Sequence, residues 1–138
     1  MNGEIDVRLT ESMREEFDRR LDQVMAAMPP RVHELLDEVT LYIEDHPPPA
    51  LLRQLGLRRR DQLCGLYTGV PLTERHVELS GVLSDVITIY REGILSLATD
   101  RQGRLDEGEL LEQIRITVLH ELGHHHGLDE QELADLGY

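Results

Sequence analysis

The chain has 138 residues, a formal net charge of -13 and a hydrophobic fraction of 40%. This length and composition fit one globular domain, which we expect to span residues 1–138. The excess of acidic residues argues against a nucleic-acid partner, because affinity for a phosphate backbone rests on Lys and Arg contacts. No apolar run approaches the roughly 20 residues of a membrane span, and the N-terminus lacks the apolar core of a signal peptide. We therefore expect a cytoplasmic protein without a membrane partner.

The first predicted element is an amphipathic helix. Ser12 with Glu15 resembles a capping box at its start, and Pro29-Pro30 ends it. We interpret its apolar stripe as core-facing rather than as a groove for a partner, because a core-facing helix is the commoner case. The stripe has steps of three or four residues and consists of Met13, Phe17, Leu21, Val24 and Met28.

The middle of the chain alternates short helices with short extended segments. Strands are predicted at residues 39–43, which alternate and are β-branched, and at residues 86–90, which read VITIY. Residues 63–72 contain two glycines and a proline among apolar residues and predict an irregular extended segment, either an edge strand or an internal one. Short helices are predicted at residues 31–37, 50–55, 94–99 and 130–136. This mixture predicts a small α+β fold.

A long helix is predicted from Asp106 to Gly127, with Glu109 three residues after Asp106 in a second capping-box arrangement. The predicted buried stripe consists of Leu111, Ile114, Val118 and Leu122. A separate polar line consists of Gln113, Thr117, His120 and His124, as a helix bordering a cleft would need.

His120, Glu121 and His124 form an H-E-x-x-H motif on this helix. Residues four apart lie one turn apart, so both imidazoles leave the same face and can bind one ion. Zinc suits neutral imidazole nitrogen. Glu121 lies beside the ion, where it can take a proton from zinc-bound water and later deliver it to the leaving amine. The motif predicts a zinc-dependent peptidase acting on a peptide or protein substrate.

A catalytic zinc site needs a third protein ligand. Gly127 allows the helix to stop in a left-handed turn, after which the chain can return a ligand to the metal. Glu130 is the first candidate, Asp129 the second and Asp135 a distant third. Cys64 is the only cysteine, which excludes a cysteine-based zinc site and an internal disulfide.

The two histidines that follow the motif have a different expected role. We interpret His125 and His126 as surface residues or as residues that support the ligands. His126 is also a candidate substrate contact, but two helical steps point it away from His124.

From these residues outward the sequence resembles the minimal zincin-like (metzincin-like) proteins, a small bacterial family of predicted zinc metallopeptidases. The Gly-Val-Pro-Leu-Thr-Glu-Arg string at residues 69–75 and the extended zinc motif carry most of the resemblance. It implies an α+β zincin core with a small twisted sheet, and a third ligand at position 130. That position is often aspartate in the family, and Glu130 is one methylene longer. All four methionines lie at or before Met28, so the methionine turn of full metzincins cannot follow the zinc helix.

The proposed chemistry also needs a donor for the developing oxyanion. Tyr67 is the predicted catalytic donor, with Tyr90 and Tyr138 as alternatives. Two rival functions remain: a protein that uses zinc for stability or regulation without peptidase activity, and a metal-dependent nuclease with a His-x3-His-x5-His site. The nuclease pattern is disfavoured because position 130 is glutamate and the chain is acidic. The sequence does not indicate an oligomeric state.

Overall fold

The computed structural model describes residues 9–69 and 85–135. The elements in chain order are α1 (Glu11–Ala27), α2 (Pro30–Leu36), β1 (Thr40–Glu44), α3 (Pro49–Leu55), a 3-10 turn (Arg60–Gln62), β2 (Gly65–Thr68), β3 (Val86–Tyr90), α4 (Arg91–Ala98), α5 (Glu107–His125) and α6 (Glu130–Asp135). The predicted α+β class is confirmed, and the strands and helices lie within a few residues of their predicted positions. The predicted extended segment at residues 63–72 is described only as far as Gly69, and the part of the 69–75 string after Gly69 lies outside the described residues.

The start of α1 differs from the prediction. The Thr10 hydroxyl accepts a hydrogen bond from the Met13 backbone N–H at 3.1 Å, and the helix begins at Glu11. The predicted capping box of Ser12 and Glu15 is therefore wrong. Thr10 has the extended backbone conformation that a capping residue needs, whereas Ser12 already lies inside the helix. The predicted end is confirmed, because α1 stops before the two prolines.

The sheet has three strands in the order β1-β3-β2. β1 pairs with β3 in parallel, and β2 pairs with β3 in antiparallel orientation. The central strand contributes Ile87 and Ile89 to the interior, and both are fully buried. Within the described ranges β2 has a strand partner on one side only, as the edge-strand alternative for this segment predicts.

The core lies where α1, α4 and α5 meet the sheet. α5 contacts α1, α4, β2 and β3, so it is the central helix of the described structure. Phe17 of α1 and Ile94 of α4 are fully buried against it. The apolar stripe of α1 faces this core, as predicted. Of the helices that the structure describes, none has the length and apolar character required to cross a bilayer.

Ionic contacts join α1 and α4 to the segment after β1. Arg14 donates from Nε to both carboxylate oxygens of Asp45 at 3.1 Å, and Arg91 donates from Nη1 to Asp45 Oδ1 at 3.0 Å. Arg91 also donates to both carboxylate oxygens of Asp18 at 3.0 Å. The hydrogen bond from Arg14 lowers the pKa of the Asp45 carboxyl below its ordinary value, against the opposing effect of burial.

Asp45→Asn is expected to lower the free energy of unfolding at pH 7 by about 1–2 kcal/mol, the usual range for hydrogen bonds to charged groups that are partly exposed. Because the pKa is lowered in the folded state, this contribution is present above the ordinary value of 3.8 and disappears as the pH falls through the folded-state pKa. Urea unfolding at pH 7 and at successively lower pH measures it. Glu11→Gln is the control, because Glu11 is exposed and 4.0 Å from Arg14. An equal loss for both variants at pH 7 would contradict the prediction.

Candidate metal centre

The buried face of α5 determines how this helix is oriented about its own axis. Leu110, Ile114 and Val118 are fully buried, and Leu122 is 3% exposed. The predicted stripe is thus largely confirmed, with Leu110 in the interior and Leu111 only half-buried. Thr117, predicted on the polar line, is buried instead. With this face in the core, His120 and His124 point into a cleft beside the edge strand β2.

Three candidate ligands meet in this cleft. His120 Nε2 and His124 Nε2 are 3.2 Å apart, and Glu130 Oε1 lies 2.8 Å from His124 Nε2 and 3.3 Å from His120 Nε2. Ligand atoms in a tetrahedral zinc site lie about 3.3 Å from one another, given bonds of roughly 2.0–2.1 Å. Two imidazoles and a carboxylate also form a donor set typical of catalytic zinc. The residues therefore fit a zinc ion in both chemistry and spacing.

A Schellman motif at the end of α5 returns the chain to these histidines. Gly127 has a φ of 82°, in the left-handed region that favours glycine. Its N–H donates to the His124 carbonyl at 2.9 Å, and the Leu128 N–H donates to the Gly123 carbonyl at 3.0 Å. The tight turn places the start of α6, with Glu130 as its first residue, beside His120 and His124.

The same turn orients one ligand. The Leu128 carbonyl oxygen lies 3.1 Å from His124 Nδ1. A proton on Nδ1 can be donated to this carbonyl, which leaves the lone pair of Nε2 directed towards Glu130 and His120. Such a contact behind a ligating histidine fixes its tautomer and ring orientation.

The other two acidic candidates contact different groups. Asp129 Oδ1 accepts from the Glu132 N–H at 2.8 Å, and the Glu132 carboxylate accepts from the Asp129 N–H at 3.2 Å. This reciprocal pair is a capping box for α6. Asp135 accepts from the Gln131 side chain at 2.9 Å. Of the three candidates, only Glu130 lies with the two histidines.

Glu121 lies beside the ligands and is largely buried, with 8% of its surface exposed. Its Oε1 accepts a hydrogen bond from the Tyr67 backbone N–H at 3.0 Å, and its Oε2 lies 3.9 Å from His120 Nε2. Burial raises the pKa of the Glu121 carboxyl, while His120, His124 and the Tyr67 N–H act in the opposite direction. β2 therefore holds one oxygen of this carboxylate, and the other lies on the side of His120.

The cleft has a volume of about 560 Å³ and lies between β2 and the end of α5. Its walls include three residues of β2, the candidate ligands and Glu121. The other lining residues are Leu55, Leu63, Gly127, Leu128 and Asp129. Cys64 precedes β2, and its burial, with a smaller effect of Glu121, raises the pKa of its thiol to about 11. The thiol is therefore protonated near neutral pH.

The predicted oxyanion donors occupy different places. The Tyr67 ring packs edge-on against His125, with ring centroids 5.8 Å apart, and its hydroxyl lies next to Gly69. Tyr67 thus approaches Glu121 with its backbone N–H. Tyr90 is buried at the end of β3. Tyr138 lies outside the described residues.

His125 is not on the surface. It is 1% exposed, with Nδ1 2.7 Å from Asp85 Oδ2 and Nε2 3.1 Å from Glu38 Oε2. The sequence offered no signal for these contacts, because Glu38 and Asp85 come from distant parts of the chain. His126 is partly buried, and its ring lies 4.9 Å from that of His125.

The model of the zincin-like metallopeptidase family matches residues 36–138, which is well over half of the chain. The matched range includes the sheet, α5 and all three candidate ligands. No curated protein matches the chain.

Gly65→Ala is expected to lower the free energy of unfolding by roughly 1–3 kcal/mol, as overpacking does in other interiors. A Cβ at this position would lie 2.8 Å from Thr117 Cγ2, 3.2 Å from Glu121 Cγ and 3.3 Å from the Thr88 carbonyl oxygen. Equilibrium urea unfolding measures the change. Gly108→Ala on the same helix as Glu121 is the control, because its Cβ would meet only Asp106 Oδ1 at 3.4 Å. A Gly65→Ala protein as stable as the unmodified chain would show that β2 and α5 are packed less closely.

Proposed function

The chain belongs to the zincin-like metallopeptidase family, and we propose that it is a zinc-dependent peptidase in which Glu121 is the general base. The observation that carries the proposal is the position of the Glu121 carboxylate, held by β2 beside three convergent side chains that could hold a metal ion. The proposed substrate is a peptide or protein.

His120, His124 and Glu130 would hold the zinc ion. When bound there, zinc supplies Lewis-acid chemistry, polarising a peptide carbonyl and lowering the pKa of a water molecule. The carbonyl of Leu128 keeps the His124 ring in the orientation that ligation needs. Glu130 is largely exposed, at 74% of its side chain, so the turn at Gly127 rather than packing holds it near the histidines.

Glu121 would take the proton from the attacking water and deliver it to the leaving amine. The Tyr67 N–H holds Oε1, so Oε2 is the oxygen directed towards the reacting groups. Burial is the largest effect and raises the pKa of the Glu121 carboxyl above its ordinary value, which is the direction that a general acid–base catalyst near neutral pH requires.

An extended substrate would lie along β2. β2 is the edge of the sheet in the described ranges, and Gly65, Leu66 and Tyr67 line the cleft. Peptides commonly bind by adding a strand to such an edge. The role of the Tyr67 hydroxyl as oxyanion donor stays a prediction from the sequence; its backbone N–H has a separate role in orienting Glu121.

Glu130→Gln is expected to raise the zinc dissociation constant by more than about 100-fold. Removing a residue that only supports a ligand lowers metal affinity by roughly 10–100-fold, and removing a ligand itself should lower it further. Asp129→Asn is the matched variant: asparagine can still cap α6, so zinc affinity should change little. Competition with a chelator of known affinity measures both constants. A larger loss of affinity in Asp129→Asn than in Glu130→Gln would assign the third ligand to Asp129.

Glu121→Gln is expected to lower the rate of peptide hydrolysis by about 10²–10⁴-fold while zinc remains bound, because the variant loses the base and keeps the ligands. Cleavage of unfolded casein or of a peptide library, with and without a chelator, measures activity alongside metal analysis. Glu112→Gln on the exposed part of α5, where Glu112 pairs with Arg115, is the control. Unchanged hydrolysis in Glu121→Gln, or wild-type cleavage that a chelator does not stop, would contradict the proposal.

A further inference from the structure

A second group of metal-ligating side chains lies at the end of α5, apart from the three ligands of the cleft. It consists of Glu38, His125 and His126, and one ligand atom from each residue lies within 4.8 Å of the others. Glu38 belongs to the segment between α2 and β1, whereas the two histidines directly follow His124. The group therefore brings together two parts of the chain separated by more than eighty residues.

His125 is held between two carboxylates. Its Nδ1 lies 2.7 Å from Asp85 Oδ2, and both side chains are 1% exposed. Its Nε2 lies 3.1 Å from Glu38 Oε2. Each ring nitrogen of His125 therefore lies within 3.1 Å of a carboxylate oxygen.

His126 completes the group. Its Nε2 is buried and has no hydrogen-bond partner within residues 9–69 and 85–135. A buried nitrogen without a partner is unfavourable, so it points to a bound group that these residues share. One metal ion can engage Glu38, His125 and His126 together.

We propose that Glu38, His125 and His126 bind a second zinc ion, with Asp85 as the residue that orients His125. Two imidazoles and one carboxylate suit zinc, and a carboxylate behind a ligating histidine is the usual supporting contact. The 3.1 Å between His125 Nε2 and Glu38 Oε2 is close to the about 3.3 Å expected between ligands of tetrahedral zinc. The ion would tie the segment before β1 to the end of α5 and so stabilise the turn that follows His124.

Zinc stoichiometry tests the second site independently of any peptidase activity. The full chain is stripped with a chelator, loaded with zinc, desalted and analysed for metal. We expect two zinc ions in the wild type, one in His120→Gln/His124→Gln, one in Glu38→Gln/His126→Gln and none in the combined variant. His33→Gln/Glu34→Gln on α2 is the matched control and should keep two, because both residues are exposed and outside either group. His125 is left intact because it is buried.

Thermal unfolding of His120→Gln/His124→Gln provides a second measurement. Added zinc should raise its melting temperature, because an ion that binds only the folded state stabilises it. The single substitution Glu38→Gln in that background, at a half-exposed position, should abolish the rise. No zinc in His120→Gln/His124→Gln, a zinc content in Glu38→Gln/His126→Gln equal to that of the wild type, or a melting temperature that zinc does not change in His120→Gln/His124→Gln would each overturn the proposal.

Discussion

The candidate site depends on a single constraint, the burial of one face of α5. Leu110, Ile114, Val118 and Leu122 must leave water, and their burial against α1, α4 and the sheet determines how the helix is rotated. Side chains on a helix have directions set by this rotation, so His120, Glu121 and His124 cannot move independently of the core. The burial that stabilises the fold therefore also sets the directions of the candidate metal ligands on this helix.

The two sides of the cleft are joined through backbone groups. On one side the N–H of Tyr67 in the edge strand holds Glu121, and the close packing at Gly65 allows the strand to approach α5. On the other side the Schellman turn at Gly127 returns Glu130, while the Leu128 carbonyl orients His124. Because backbone positions are set by the fold, these contacts can preorganise the side chains for a metal ion.

The end of α5 lies between the two groups of candidate ligands. His124 belongs to the cleft, and the next two residues face Glu38 and Asp85. Successive residues of a helix are rotated by about 100° about its axis. His124 and the residues that follow it therefore point to different sides of α5. The proposed second ion would therefore act on the same turn that positions Glu130, and it links the stability of that turn to the region before β1.

The sequence by itself determined the features that depend on local periodicity and local chemistry. Spacing alone placed the two histidines of the motif on one face of a helix, and the glycine at position 127 indicated where that helix stops. The start of α1 was assigned to Ser12 rather than Thr10, because serine is the better capping residue and Glu15 follows it at the spacing of a capping box. Only the tertiary structure decided which carboxylate returns to the histidines, that β2 has one strand partner within the described ranges, and that His125 is buried between Asp85 and Glu38. Those contacts join residues far apart in the chain, and their geometry follows from packing, which no local pattern encodes.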